Sequence, residues 1–138
     1  MEESKALKNL YFGICEALSS GDAAFFESRF SQRDGVIAIG TDPEEWWAGY
    51  AAITKIFKSQ LEEAGGFQIL PDTPLAYRDG AVGWLAGRPR LKLTDGSEIP
   101  FRLTVVLQKD PDDWKIVQWH FSAGISNEAL LGKTLTTR

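Results

Sequence analysis

An α+β domain is the fold this sequence predicts: three helices in the first half, then a four-stranded antiparallel meander. Three observations carry the prediction. Apolar residues recur at helical spacing in stretches before residue 65, alternation at period two dominates residues 67–124, and Asp-Gly dipeptides punctuate that second half. With 138 residues the chain is long enough for one domain with its own core, and residues 1–138 are read as a single unit.

Residues 4–19 place Leu7, Leu10, Tyr11, Ile14, Cys15 and Leu18 on one helical face, and Ser19-Ser20-Gly21 ends the run. Asp22 is a natural cap for a short second helix that turns Phe25, Phe26 and Phe30 inward. Arg33-Asp34-Gly35 is a turn, and Val36 to Ile39 is a short β-prone run. A third helix is predicted from about Gly49 to Ala64, with Ile53, Ile56, Phe57, Leu61 and Ala64 inward and Gly65-Gly66 as its stop. Asp79-Gly80, Asp95-Gly96 and Asp110-Pro111-Asp112-Asp113 divide the remainder into strands over 67–78, 81–94, 97–109 and 114–123. Pro89 is expected to kink or bulge the second of these. The tail, 125–138, is polar and carries no assigned element.

Composition excludes several classes. One cysteine leaves no internal disulfide and no thiolate zinc site, and one histidine leaves no multi-histidine metal site, so neither a metal nor a cofactor is expected. A net charge of −4 argues against nucleic acid, whose binders usually present a basic face. No apolar run approaches the ~20 residues that span a bilayer, and the acidic start, Met1-Glu2-Glu3, is unlike a secretory leader, so no membrane partner and a cytoplasmic location are expected.

Two stretches are distinctive: Ile39-Gly40-Thr41-Asp42-Pro43 followed by Trp46, Trp47 and Gly49, and the closing Trp114-Lys115-Ile116-Val117-Gln118-Trp119-His120-Phe121-Ser122. Together with the element order they resemble the nuclear transport factor 2-like superfamily, which includes the SnoaL-like polyketide cyclases. The closing stretch is similar to the last strand of the association domain of calcium/calmodulin-dependent protein kinase. The resemblance implies a cystatin-like cone, three helices wrapped by a strongly curved mixed or antiparallel sheet, with a pocket at the open end and dimerisation through the convex sheet face. It also implies that Trp119 and Phe121 face the pocket and His120 the partner. The same parity in the neighbouring strands then turns Trp84, Arg88, Arg102 and Thr104 into the pocket. Leu103, Val105 and Leu107 fall on the dimer side.

Asp42 has two readings. Followed by Pro43 just after the first strand, it resembles the proton-abstracting carboxylate of steroid-isomerase-like relatives. Equally, Asp42, Pro43, Glu44 and Glu45 are the cap, first position and first turn of a helix start. The oxyanion partners of such an isomerase are missing, with Ile14 and Thr104 at the matching places, which leaves Arg88 or Arg102 as an electrophilic substitute. Those two arginines across adjacent strands suit a carboxylate or phosphate. Trp46 or Trp47, with Trp84, Trp119 and Phe121, suits an apolar or planar ligand; consecutive tryptophans cannot share a face, so one of the pair belongs to the core. Cys15 reads as a small core hydrophobe. The sequence therefore points to a homodimeric binder of a modest organic anion. The alternatives are an isomerase, dehydratase or cyclase that uses Asp42 as base, and an oligomerisation module.

Overall fold

Local signals start and stop the first helices in the computed structural model, which describes residues 1–65 and 68–138. Helix α1 (Lys5–Ser20) begins where the Ser4 hydroxyl accepts the Leu7 N–H and ends at Gly21, whose φ of 71° suits glycine alone. It buries all six residues of its predicted apolar face. Helix α2 (Ala23–Arg29) is capped by the Asp22 carboxylate and sinks Phe26 and Phe30 completely. A two-residue strand β1 (Glu2–Glu3) precedes them, and β2 (Ile37–Ile39) follows.

The Asp42–Glu45 run then departs from its helix-start reading. The reciprocal capping bonds do form: Asp42 Oδ1 accepts the Glu44 N–H at 2.8 Å, and Glu45 Oε1 accepts the Asp42 N–H at 2.7 Å. They close a turn instead of a helix, because Trp46–Ala48 goes on as strand β3, antiparallel to β2. Helix α3 (Tyr50–Ala64) starts only after Gly49, whose φ of 93° redirects the chain without a side-chain cap. Gly65, at φ 68°, caps its end; Gly66 and the first residue of the strand read from 67 lie outside the described residues.

Prolines split two of the predicted strands. The segment 67–78 yields β4 (Gln68–Leu70) and β5 (Leu75–Asp79), parted by Pro71-Asp72-Thr73-Pro74. The segment 81–94 yields β6 (Val82–Gly87) and β7 (Arg90–Lys92), parted at Arg88-Pro89 where the kink was expected. Strands β8 (Glu98–Lys109) and β9 (Trp114–Ala123) run unbroken, and a fourth helix, α4 (Asn127–Leu131), forms in the tail behind a Ser126 cap. The main sheet order is β1-β5-β6-β8-β9-β2-β3, with β7 also on β8 and β4 on β7. Only the β2–β9 pair is parallel among the named strands, so the sheet is mixed. Among the described residues, no helix is long and apolar enough to cross a membrane.

A single bulge decides which side chains meet the helices. Strand β9 pairs with β8 from Lys109↔Trp114 to Leu107↔Ile116, then jumps to Val106↔Gln118, leaving Val117 without a partner. Without that extra residue the hairpin would set Thr104 opposite Trp119. With it, Val105 stands opposite Trp119 and Leu103 opposite Phe121. Residues directly opposite share a face, so a one-residue slip inverts a whole strand. The expected parity is therefore corrected in β8 and, through the Leu85↔Val105 pairing, in β6 as well. Leu85, Leu103, Val105 and Leu107 belong to the core at 0–1% exposure, and Trp84, Arg102, Thr104 and Val106 lie on the other face.

The helix-facing side is close-packed where α1 crosses β6. A Cβ on Gly87 would sit 2.3 Å from the Tyr11 ring, and one on Gly83 would sit 2.4 Å from Leu7 Cδ1. These two glycines let helix and strand backbones approach. Beside them the Tyr11 hydroxyl donates to Asp72 Oδ1 at 2.7 Å, and the same oxygen accepts the Arg88 N–H at 2.9 Å. The β4–β5 connection is pinned to the sheet through that one carboxylate.

Candidate functional site

Between α3, the β2–β3 turn and the inner faces of β8 and β9 lies a cavity of about 300 Å³. Its floor is aromatic. Trp119 packs edge-on against Phe57 at 5.3 Å between ring centres and stands over the fully buried Phe26 and Phe30. Phe121 continues the wall from Trp119 at 6.2 Å and stacks on Phe101 at 4.8 Å. Trp47 closes the side toward β3, and Leu18, Leu61, Ile69 and Leu91 complete the apolar lining. Residues two apart on a strand share a face, so the β9 alternation of Trp119 and Phe121 and the β8 position of Phe101 follow from the register.

The polar side of the cavity is built on Glu45. Its Oε1 accepts the Asp42 N–H at 2.7 Å and the Thr41 hydroxyl at 3.2 Å, and its Oε2 accepts the Gln60 amide at 2.5 Å. Glu45, Thr41 and Gln60 all line the cavity. Gly40 makes the arrangement sterically open, because a Cβ there would lie 2.8 Å from Glu45 Oε1. The turn thus folds one carboxylate back over the end of β2, and helix α3 supplies the amide that holds it.

Of the residues the sequence singled out, Trp47, Trp119 and Phe121 border this cavity. The others do not. Asp42 is exposed and its carboxylate is engaged by the Glu44 N–H, outside the lining. Trp46 is 70% exposed on the outer face while its neighbour Trp47 borders the cavity, so the two do take opposite faces, but the one that leaves the cavity goes to the surface and not to the core. Trp84 stacks on Tyr77, also on the outer face. Arg88, Arg102 and Thr104 are exposed, the last two on that same face through the bulge at Val117. His120 is exposed there too, opposite Thr104.

Sequence reading missed Phe101, Glu45 and Gln60 as lining residues. Gln60 follows Phe57 by three residues on α3, a spacing that shares a helix flank and would have placed it beside the cavity. Phe101 needed the β8 register. Cys15 lies on the buried face of α1, and burial pushes its thiol up to about 11, so it stays protonated and unreactive near neutrality. Burial and the bond to Asp72 push the Tyr11 phenol up as well, outside any useful acid–base range. Among the described residues no group of three or more His, Cys, Asp or Glu side chains converges as a metal site would require.

Residues 7–126 match the family model of the SnoaL-like domain. No curated protein matches the chain. Among solved structures, a nuclear transport factor 2-like protein of unknown function from Pseudomonas putida superposes with a TM-score of 0.73 at 15% identity, covering 99% of both chains. A dehydratase candidate of the same fold family from Streptomyces avermitilis gives 0.77 at 14% identity over 88% of this chain and 96% of that one. A cystatin-like-fold protein from Caulobacter vibrioides gives 0.75 at 14% identity, over 94% and 95%. At these identities the likeness is one of fold, and the cone architecture is shared.

Proposed function

The chain belongs to the SnoaL-like domain family, and from that premise we propose that it binds a small, largely apolar organic molecule in the cone cavity, with no reaction assigned. One observation carries the reading. Five aromatic rings and a held carboxylate surround a space of about 300 Å³ that the side chains of the described residues leave open, at the small end of the about 300–1,000 Å³ typical of ligand pockets. The arginine half of the earlier expectation has no support in the geometry, since Arg88 and Arg102 are exposed and outside the lining. The enzyme reading built on Asp42 loses its support for the same kind of reason: the carboxylate is engaged in the turn and outside the cavity.

Titration of intrinsic tryptophan fluorescence with small aromatic molecules tests the reading, because Trp47 and Trp119 both border the cavity. A saturable change is expected from at least one compound, weakened about tenfold or more in Phe121→Ala, the loss of one aromatic anchor. No change with any compound would remove the proposal.

Self-association is the second reading, and a different face supports it. Trp46 at 70% exposure, Leu75 at 62%, Val82 at 44% and Ile37 at 36% lie on the outer side of the sheet with Tyr77, Trp84 and Val106. These exposed apolar side chains form a band interleaved with Thr104, Gln118 and His120, and apolar groups exposed along one sheet face support contact with another chain. A homodimer through this band, with His120 inside it, replaces the contact earlier assigned to Leu103 and Val105.

A further inference from the structure

The polar side of the cavity also speaks to the charge of its occupant. We propose that the ligand is an organic cation: a small protonated or quaternary amine with an apolar or aromatic body, its nitrogen directed to Glu45. The inference rests on the cavity being a ligand site at all, and it names the class of ligand.

Glu45 is the one ionisable group among the described lining residues. A carboxylate accepts about four hydrogen bonds, and three on Glu45 are taken by Asp42, Thr41 and Gln60, which leaves room for one more donor. The rest of the lining is aromatic and aliphatic, apart from Thr41, Gln60 and the Gly40 backbone. Trp47, Phe101, Trp119 and Phe121 are in the lining, and the quadrupole of an aromatic ring attracts an ammonium within about 6 Å of the ring centre. A buried charge is costly unless it meets an opposite one. A cation meets one here. An anion would face Glu45 across an apolar space with no guanidinium, ammonium or imidazolium among the described lining residues to offset the repulsion. Gln60 holds Glu45 from the helix side, so the charge is fixed in place before any ligand arrives.

Three probes of matched size separate charge from shape: 2-phenylethylamine, 2-phenylethanol and phenylacetate, titrated calorimetrically against the whole chain. The amine is expected to bind at least about tenfold more tightly than the alcohol, and phenylacetate weakest of the three. Glu45→Gln should erase the difference between amine and alcohol. Glu45 also braces the turn, so Gln60→Lys is the companion variant: it leaves the turn bonds intact, neutralises the carboxylate, and should raise phenylacetate above the amine. Alcohol or phenylacetate binding as tightly as the amine in the native chain overturns the cation assignment while the cavity reading stands. An amine preference that persists in Gln60→Lys also overturns it. Failure of all three probes to bind removes the cavity reading and this inference together.

Discussion

The two faces of one sheet differ in kind. On the inner face Leu85, Leu103, Val105 and Leu107 are sealed at 0–1% exposure against helices α1 to α3 and the aromatic cluster. On the outer face, one residue along in each strand, Thr104 is exposed and Trp84, Val106 and Gln108 are only half-buried. In β8 the inner row, Phe101, Leu103, Val105 and Leu107, is wholly apolar, whereas the outer row carries Arg102, Thr104 and Gln108 beside Val106. Composition of the strand agrees with the observed orientation, and parity counted across from Trp119 inverted it because the bulge at Val117 shifts the register by one residue. Where composition and a register counted across a hairpin disagree, the register is the weaker evidence, because one unpaired residue reverses it.

Charge placed on either face gives the largest contrast. Val105→Glu buries an unpaired carboxylate in the core, a cost on the order of several kcal/mol, against a total stability of about 5–15 kcal/mol for an ordinary domain. The expected outcome is a chain without cooperative thermal unfolding by circular dichroism. Thr104→Glu, its neighbour on the outer face, should melt as a folded domain. The opposite pattern, with Val105→Glu folded and monomeric, would restore the orientation in which Val105 glues two copies together.

Gly87→Ala probes the inner face more gently. The added Cβ would lie 2.3 Å from the Tyr11 ring, and Tyr11 is held by its bond to Asp72. Overpacking of this kind costs about 1–3 kcal/mol, readable as a lower urea midpoint. Gly124→Ala, where the nearest side-chain atoms stand at 3.8 Å, should shift it far less. Equal effects would mean that α1 yields freely over β6.

The outer face answers in association instead of stability. Trp84→Glu should leave the melting curve nearly unchanged and weaken the proposed dimer by about tenfold or more in sedimentation, since a buried interface rejects an unpaired charge. A native chain that sediments as a monomer at micromolar concentration would overturn the dimer. Unfolding of Trp84→Glu would erase the distinction between the faces.

The same contrast explains what the sequence disclosed. Helices α1 and α2 were legible from the apolar spacing of Leu7 to Leu18 and from Gly21 and Asp22, which act within four residues of the bonds they make. The cone was legible from element order and from the Trp114–Ser122 stretch. The candidate cavity was legible at Trp119 and Phe121 on β9 and at Trp47, one of the two tryptophans proposed for it. Arg102, Thr104 and Trp84 were misplaced because Val117 carries no glycine or proline to announce a bulge. Asp42 and Glu45 were misread because the bonds that start a helix also close a turn, and the choice was made by Trp46 and Trp47 pairing with β2. That pairing is a tertiary event with no local signature. Helix α4 did carry a cap at Ser126 and a left-handed Gly132, but five residues with no buried side chain leave little periodicity to detect.

The inner face has one further mark that titration can read. Cys15 is 2% exposed on the buried face of α1, and burial, more than the nearby negative charge of Asp72, raises its thiol to about 11, although the neighbouring Tyr11 hydroxyl pulls the other way. In the unfolded chain a thiol ionises near 8.5. The folded state therefore binds the proton more tightly, and that share of stability is fully present below about pH 8.5 and drains away as pH climbs toward 11. Tyr11 contributes a similar slope, beginning near pH 10 where an unfolded phenol ionises. The comparison that isolates the thiol is thus native chain against Cys15→Ala, both followed by urea unfolding from about pH 7 to about pH 10.5. The gap between them should be constant up to about pH 8.5 and then change steadily against the native chain. A gap that stays flat across the whole range would show that Cys15 meets water, and that the inner face is open where α1 covers it.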